Sequence, residues 1–271
     1  MGATSRGLMR HWRARSASLI IPALLVGCGA LAGCAAGESW NLAEGQHPET
    51  FRRRVVVEAQ GQMLLYLPAG FRVHGAKRYP LLVFLHGSGE SGTDLEKLKV
   101  HGLPKIVATR RDFPFIVASP QTPAPYRQLD SLTLTAMLDE LLARLPIDRD
   151  RVYLTGISMG GTMSYRWASE NPARFAAVVP VSGYGVPEDA CRLKDLPIWA
   201  FHGAKDHAVA IERDEATIKA INACGGQARF TVDPEGDHDD PYWSTVYGNP
   251  ELYDWLLKQH RQDAGSLRPL Q

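Results

Sequence analysis

This sequence has little of what marks a fibrous, disordered or nucleic-acid-binding chain. Its formal charge is only +1, from 30 Lys and Arg against 29 Asp and Glu, so a basic nucleic-acid footprint is absent. It has four cysteines, none at a metal-like spacing with histidine. No internal repeat or low-complexity tract occurs, and 25 Gly and 18 Pro in 271 residues fall short of collagen-like or disordered composition. Long apolar runs are scarce too, which excludes a multi-span membrane protein. What remains is an ordinary globular composition, 45% hydrophobic and 22% charged, with chain enough for one large α/β domain.

The single long apolar run, residues 19–36, follows a stretch carrying Arg6, Arg10, Arg13 and Arg15 and ends just before Glu38. That order of a basic region and then an apolar region is the layout of a secretory signal. The run has about the minimum length for a spanning helix, but Pro22 interrupts it and no basic stop-transfer cluster follows. Residues 1–33 are therefore read as a removed leader, which leaves 26 basic and 29 acidic groups, a formal −3. Its end, Leu31-Ala32-Gly33-Cys34, resembles the lipobox of bacterial lipoproteins. Leu25-Val26-Gly27-Cys28 is a poorer match, and plain cleavage near Ala36 is the alternative. The resemblance implies a lipidated Cys34, an N-terminal lipid anchor on a membrane, and an exported protein of the cell envelope, at the outer membrane or periplasmic face. Exported chains meet oxidising conditions, so Cys191 and Cys224 are open to either a disulfide or two buried thiols.

Residues 34–50 read as a polar tether, 51–262 as the folded domain and 263–271 as a tail. Arg54–Glu58 and Met63–Leu67 predict an antiparallel hairpin around Gly61-Gln62. Short apolar runs follow at 79–85, 115–118, 152–154, 176–181, 198–201 and 230–232, the pattern of parallel strands buried on both faces. Helical stretches alternate with them, at 95–109 with a break at Gly102-Leu103-Pro104, then 131–145, 159–170, 211–223 and 251–260. Asp130 and Ser131 supply an N-cap, and Pro146 a stop. Alternating strand and helix predicts βαβ units and one doubly wound, mostly parallel α/β sheet.

The chemistry concentrates after the run at 152–154. Gly156-Ile157-Ser158-Met159-Gly160 is a G-x-S-x-G between a strand and a helix, where glycines permit a turn so tight that the Ser Oγ is held out at the sheet's carboxyl edge. A serine nucleophile needs a base, and the base an orienting acid. Asp206 lies in the loop after the run at 198–201, and His238 in the loop after 230–232, so all three loops meet at one edge. His207 is a competing base, but it shares a loop with Asp206. Asp237, Asp239 and Asp240 read as a surface acidic cluster without the spacing of a cation site, and His202 and His86 as local packing. Leu85-His86-Gly87-Ser88-Gly89-Glu90 closes the first long strand with a glycine-rich turn. It offers the Ser88 N–H beside the Met159 N–H as donors to an oxyanion, while Glu90 receives no catalytic role.

The segments YPLLVFLHGSGESGTDLEKLK, RVYLTGISMGGTMSYRWA, LPIWAFHGAKDHAV and PEGDHDDPYWSTVYGNPELYDWLL resemble the α/β-hydrolase superfamily. Within it they are similar to bacterial esterases related to dienelactone hydrolases, polyhydroxybutyrate depolymerases and predicted peptidases. The resemblance covers Phe51 to His260. It implies an α/β-hydrolase fold, no cofactor and no metal, and a serine esterase in which Ser158 attacks, His238 carries the proton and Asp206 orients it. A small-molecule or polymer-derived ester is the expected substrate. Relatives carry a Trp after the S-P-Q segment, where this chain has Thr122-Pro123-Ala124-Pro125-Tyr126. Tyr126, Tyr184, Tyr242 and Trp243, all expected in loops at the active edge, are candidate pocket residues. An amide-cleaving peptidase of prolyl-oligopeptidase-like ancestry, acyl transfer to an alcohol, and a non-catalytic binding lipoprotein are the rival readings.

Overall fold

The computed structural model describes residues 58–123 and 130–261, which lie in one compact unit. Seven strands form a single sheet in the order β1-β3-β2-β4-β5-β6-β7: β1 Gln62–Tyr66, β2 Tyr79–Leu85, β3 Ile116–Gln121, β4 Ile147–Ile157, β5 Ala177–Val181, β6 Trp199–Gly203 and β7 Arg229–Asp233. Every neighbouring pair is parallel except β1 with β3, where Leu64 faces Ser119. The antiparallel partner of β1 is thus β3. The other half of the expected hairpin, like the leader, Cys34, the tether, Tyr126 and the C-terminal tail, lies outside the described residues.

The period-2 alternation of the strands divides the core into two layers. Leu81 and Val83 of β2, Leu154 of β4 and Val178 of β5 pack with Leu134, Leu138 and Leu141 of α2 (Ser131–Arg144), Met163 and Trp167 of α3 (Met159–Glu170), and Ile218 and Ile221 of α4 (Ile211–Ala223). On the other face, Leu82, Phe84, Tyr153 and Val179 meet Leu103 and Val107 of α1 (Gly102–Val107), Val246 and Tyr247 of α5 (Asp240–Gly248), and Leu252 and Leu256 of α6 (Pro250–Leu257). All seven residues of β2 are buried, as expected of a central parallel strand. The run at 230–232 departs from that pattern: β7 is an edge strand with its side chains half or fully exposed, since it has a neighbour on one side only.

Local chemistry explains the boundaries. The Asp130 side chain accepts the Thr133 N–H at 2.8 Å and starts α2, and the strand-prone Leu145 before Pro146 ends it. The stretch 95–109 breaks at His101, where a 3-10 turn over Leu95–Lys99 has ended, rather than within Gly102-Leu103-Pro104. Pro104 fits the first turn of α1, where its missing N–H is of no consequence. Gly102 has φ +61°, and a Cβ there would lie 2.6 Å from the Phe84 ring. Cys191 and Cys224 form a disulfide that ties the 3-10 segment Pro187–Leu193 to the end of α4. Among the described residues, no helix is long and apolar enough to cross a membrane.

Candidate active site

Ser158 sits between β4 and α3 with φ +54° and ψ −117°, a conformation unusual for any residue but glycine. The surroundings impose it. A Cβ on Gly156 would lie 2.5 Å from the Gly160 carbonyl oxygen, and one on Gly160 would overlap the Leu85 carbonyl and reach within 2.7 Å of the His86 oxygen. The Ser158 N–H donates to Val181 O at 2.9 Å, which pins the turn to β5.

The three candidate residues are brought into one hydrogen-bonded series. Ser158 Oγ lies 2.8 Å from His238 Nε2, and His238 Nδ1 lies 2.7 Å from Asp206 Oδ2. The other Asp206 oxygen accepts the N–H groups of Ala208 and Val209 at 3.0 and 2.7 Å. With its acid held by the protein, the imidazole is constrained to the tautomer that presents Nε2 to the serine. Burial favours the neutral acid at Asp206, yet hydrogen bonds from His202, His238 and Val209 outweigh it and hold the carboxyl well below its ordinary range. The carboxylate therefore stays ionised at neutral pH.

His86 and the glycine turn flank the nucleophile. A Cβ on Gly87 would lie 3.6 Å from the Ser158 Cβ, so the turn runs directly beside it. His86 Nε2 accepts the Thr122 N–H at 2.9 Å and Nδ1 bonds the Gly87 carbonyl, which braces the turn against the end of β3. Burial lowers the pKa of His86 and keeps it neutral, as those two partners require. Met159 opens α3 directly after Ser158, and Ser88 opens a short 3-10 turn directly after Gly87. Glu90 is buried, and its Oε2 has no partner among the described residues.

The remaining expected residues separate. His207 is exposed and its Nδ1 lies 2.6 Å from Asp237 Oδ1, so it turns away from the serine. The presumed surface acidic cluster is divided into separate tasks. Asp237 also accepts the His238 N–H at 2.7 Å, Asp239 caps α5, and Asp240 bonds His101 Nδ1 at 2.9 Å and Lys105. No group of described residues could hold a metal ion. Tyr242 and Trp243 lie in the first turn of α5 and not in a loop. The Tyr242 ring packs into the core against Gly236. Trp243 is also buried and stands edge-on to the rings of His238 and His101 at 5.2 and 5.3 Å, with its Nε1–H donating to Ser182 Oγ. Tyr184 remains half exposed, with the Arg213 guanidinium over its ring at 3.2 Å.

One arrangement was not legible as local packing of His202. This fully buried side chain has Nε2 3.3 Å from Asp206 Oδ2 and 3.0 Å from Val209 O, and Nδ1 3.0 Å from Asp214 Oδ2. Asp214 accepts in turn from the Tyr165 hydroxyl at 2.7 Å. A signal existed: Ile211, Asp214, Ile218 and Ile221 share the apolar face of α4, where an aspartate requires a partner.

Residues 121–239 match the dienelactone hydrolase family, a span that contains Ser158, Asp206 and His238. A solved structure of a thermostable esterase is 30% identical, with a TM-score of 0.62, covering 73% of this chain and 59% of that one. The bifunctional acetylxylan esterase/xylanase XynS20E of Neocallimastix patriciarum is 28% identical over 126 residues, 46% of this chain and 18% of that protein. Poly(3-hydroxyalkanoate) depolymerase C of Paucimonas lemoignei is 28% identical over 138 residues, 45% of this chain and 31% of that protein. The chain thus spans less than half the length of the curated relatives it matches.

Proposed function

We propose that this chain, an α/β-hydrolase in fold with a dienelactone hydrolase family domain, is a serine hydrolase that cleaves carboxylic esters through an acyl-enzyme. The observation that carries the reading is the unbroken series from Ser158 Oγ through His238 to Asp206, set in a positive-φ turn at the sheet's carboxyl edge. In this mechanism Ser158 Oγ attacks the ester carbonyl carbon as its proton passes to His238 Nε2. The imidazolium that forms is stabilised by the ionised Asp206. The developing oxyanion is met by the N–H groups of Ser88 and Met159, donors whose individual loss costs about 3 kcal/mol of barrier lowering in comparable sites. Collapse breaks the bond to the alcohol oxygen, which leaves with the proton from His238. Water then attacks the acyl-serine, gives its proton to the same nitrogen, and the acid departs.

The substrate class follows from the relatives named above, an acetylated polysaccharide or a polyester oligomer, with short acyl esters as the simplest representatives. An exported, lipid-anchored location belongs to the same reading. It is supported by the leader sequence and by the Cys191–Cys224 disulfide, a bond that persists in oxidising compartments. The first test is labelling with a fluorophosphonate probe, which reacts only with an activated serine. Wild type is expected to label, and Ser158→Ala and His238→Ala not to. Labelling that survives Ser158→Ala, or a folded wild type that never labels, overturns the assignment.

A further inference from the structure

Behind the candidate triad lies a second buried series that the mechanism above does not use. It runs from the Tyr165 hydroxyl on α3, through Asp214 on α4 and His202 at the end of β6, to the Oδ2 of Asp206 that also receives His238. The side chains of His202, Asp206 and Asp214 are all fully buried. Each ring nitrogen of His202 faces oxygen acceptors. Nε2 meets the Val209 carbonyl and the Asp206 carboxylate, and a carbonyl can only accept, so Nε2 carries a proton. Nδ1 meets Asp214, whose other oxygen is already an acceptor for Tyr165. The series also links two of the three helices on this face, α3 and α4, to the loop that presents the acid.

We propose that His202 is the positioning residue for the triad acid: a buried imidazolium, anchored by Asp214, that fixes Asp206 toward His238 and offsets part of its charge. The inference rests on the ester-hydrolase reading for its kinetic consequence, but not for its chemistry. Burial alone would discharge His202, yet the carboxylates of Asp206 and Asp214 outweigh it and raise its pKa to about 9. Burial raises the Asp214 carboxyl, opposed by its hydrogen bonds from His202 and Tyr165. The charges acting on the cluster come from every side. Asp206 is on the loop after β6, Asp214 and the more distant Glu215 on α4, Tyr165 on α3, His238 after β7, and Tyr242 on α5, which feels Asp206, Asp214 and Asp233. A cation beside Asp206 lowers the negative potential at His238. Removing that cation is therefore an electrostatic change that the acid limb of the activity profile can read.

Two measurements test this. In wild-type protein labelled with 15N-histidine, the His202 ring is expected to show two protonated nitrogens at pH 7.5; one protonated and one bare nitrogen there overturns the proposal, whether or not the protein hydrolyses esters. In the pH profile of kcat/KM on a short acyl ester, Asp214→Asn and His202→Gln are expected to move the acid limb up by about one pH unit. Asp214→Glu, which keeps the anchoring charge, is expected to return the limb toward wild type. An equal loss of kcat/KM at all pH values, with the limb unmoved in correctly folded variants, reduces His202 to a structural role and also overturns the proposal. Failure of the serine assignment would instead appear as an unlabelled protein with the His202 nitrogens still both protonated.

Discussion

At the scale of single residues, the site depends most on atoms that are absent. Gly160 is the second residue of α3, where a side-chain carbon would overlap the Leu85 carbonyl of β2 and crowd the His86 carbonyl at 2.7 Å. Both obstacles are backbone, so neither can rotate aside as a flexible side chain would. Gly160→Ala must therefore push the nucleophile turn away from the glycine turn at 86–89. Overpacking of this kind costs about 1 to 3 kcal/mol of stability, and a displacement near 1 Å costs on the order of a hundredfold in rate. The expected outcome is a folded protein with a lowered Tm and at least that loss in kcat/KM on a soluble ester. Gly89→Ala is the control in the same turn, because a carbon there meets nothing within 4 Å, and its Tm should stay near wild type. Equal behaviour of the two variants would refute the steric account.

At the scale of elements, legibility followed burial. β2 and helices α3 and α4 have the bounds the sequence predicts because apolar patterning and flanking glycines agree there. The α5 segment was missed. Its start, Asp239-Asp240-Pro241, reads as loop, and only the side-chain cap from Asp239 to the Tyr242 N–H and the proline in the first turn reveal a helix. That omission moved Tyr242 and Trp243 out of a supposed loop and into the core. Ser158, Asp206 and His238 were legible because each follows a strand at the same sheet edge. The His202–Asp214 contact was not, since it depends on how far α4 returns over β6. The sequence leaves the disulfide open for the same reason, as it joins elements distant in sequence. It closes a loop across a separation of 33 residues, for which loop entropy gives about 4 kcal/mol. Reduction, or the double change Cys191→Ser and Cys224→Ser, is expected to lower Tm by roughly 10 °C. Turnover at 25 °C should persist, because neither sulfur touches the site. An unchanged Tm on reduction would show that the bond does not constrain the unfolded chain as this argument requires.

At the scale of the whole molecule, the proposed membrane attachment can be tested by asking what would hold the protein there. With residues 1–33 removed, the chain carries 26 basic and 29 acidic groups, a formal −3. Such a net charge supplies no overall attraction to anionic headgroups, and among the described residues no helix is long and apolar enough to span a bilayer. A lipid on Cys34 would by itself provide the attachment, since each buried methylene contributes about 0.8 kcal/mol and two or more acyl chains make the binding stable. Membrane association should then have three properties together. Washing with high salt should not reverse it, Cys34→Ser should move the protein to the soluble fraction, and the released protein should keep its wild-type kcat/KM on soluble esters. The last property follows because every contact of the Ser158 series is made by residues well past the tether. A Cys34→Ser protein that stays with the membrane would show instead that the apolar run at 19–36 is retained as an anchoring helix. A wild-type protein stripped by salt would assign attachment to surface charge and remove the lipid from the account.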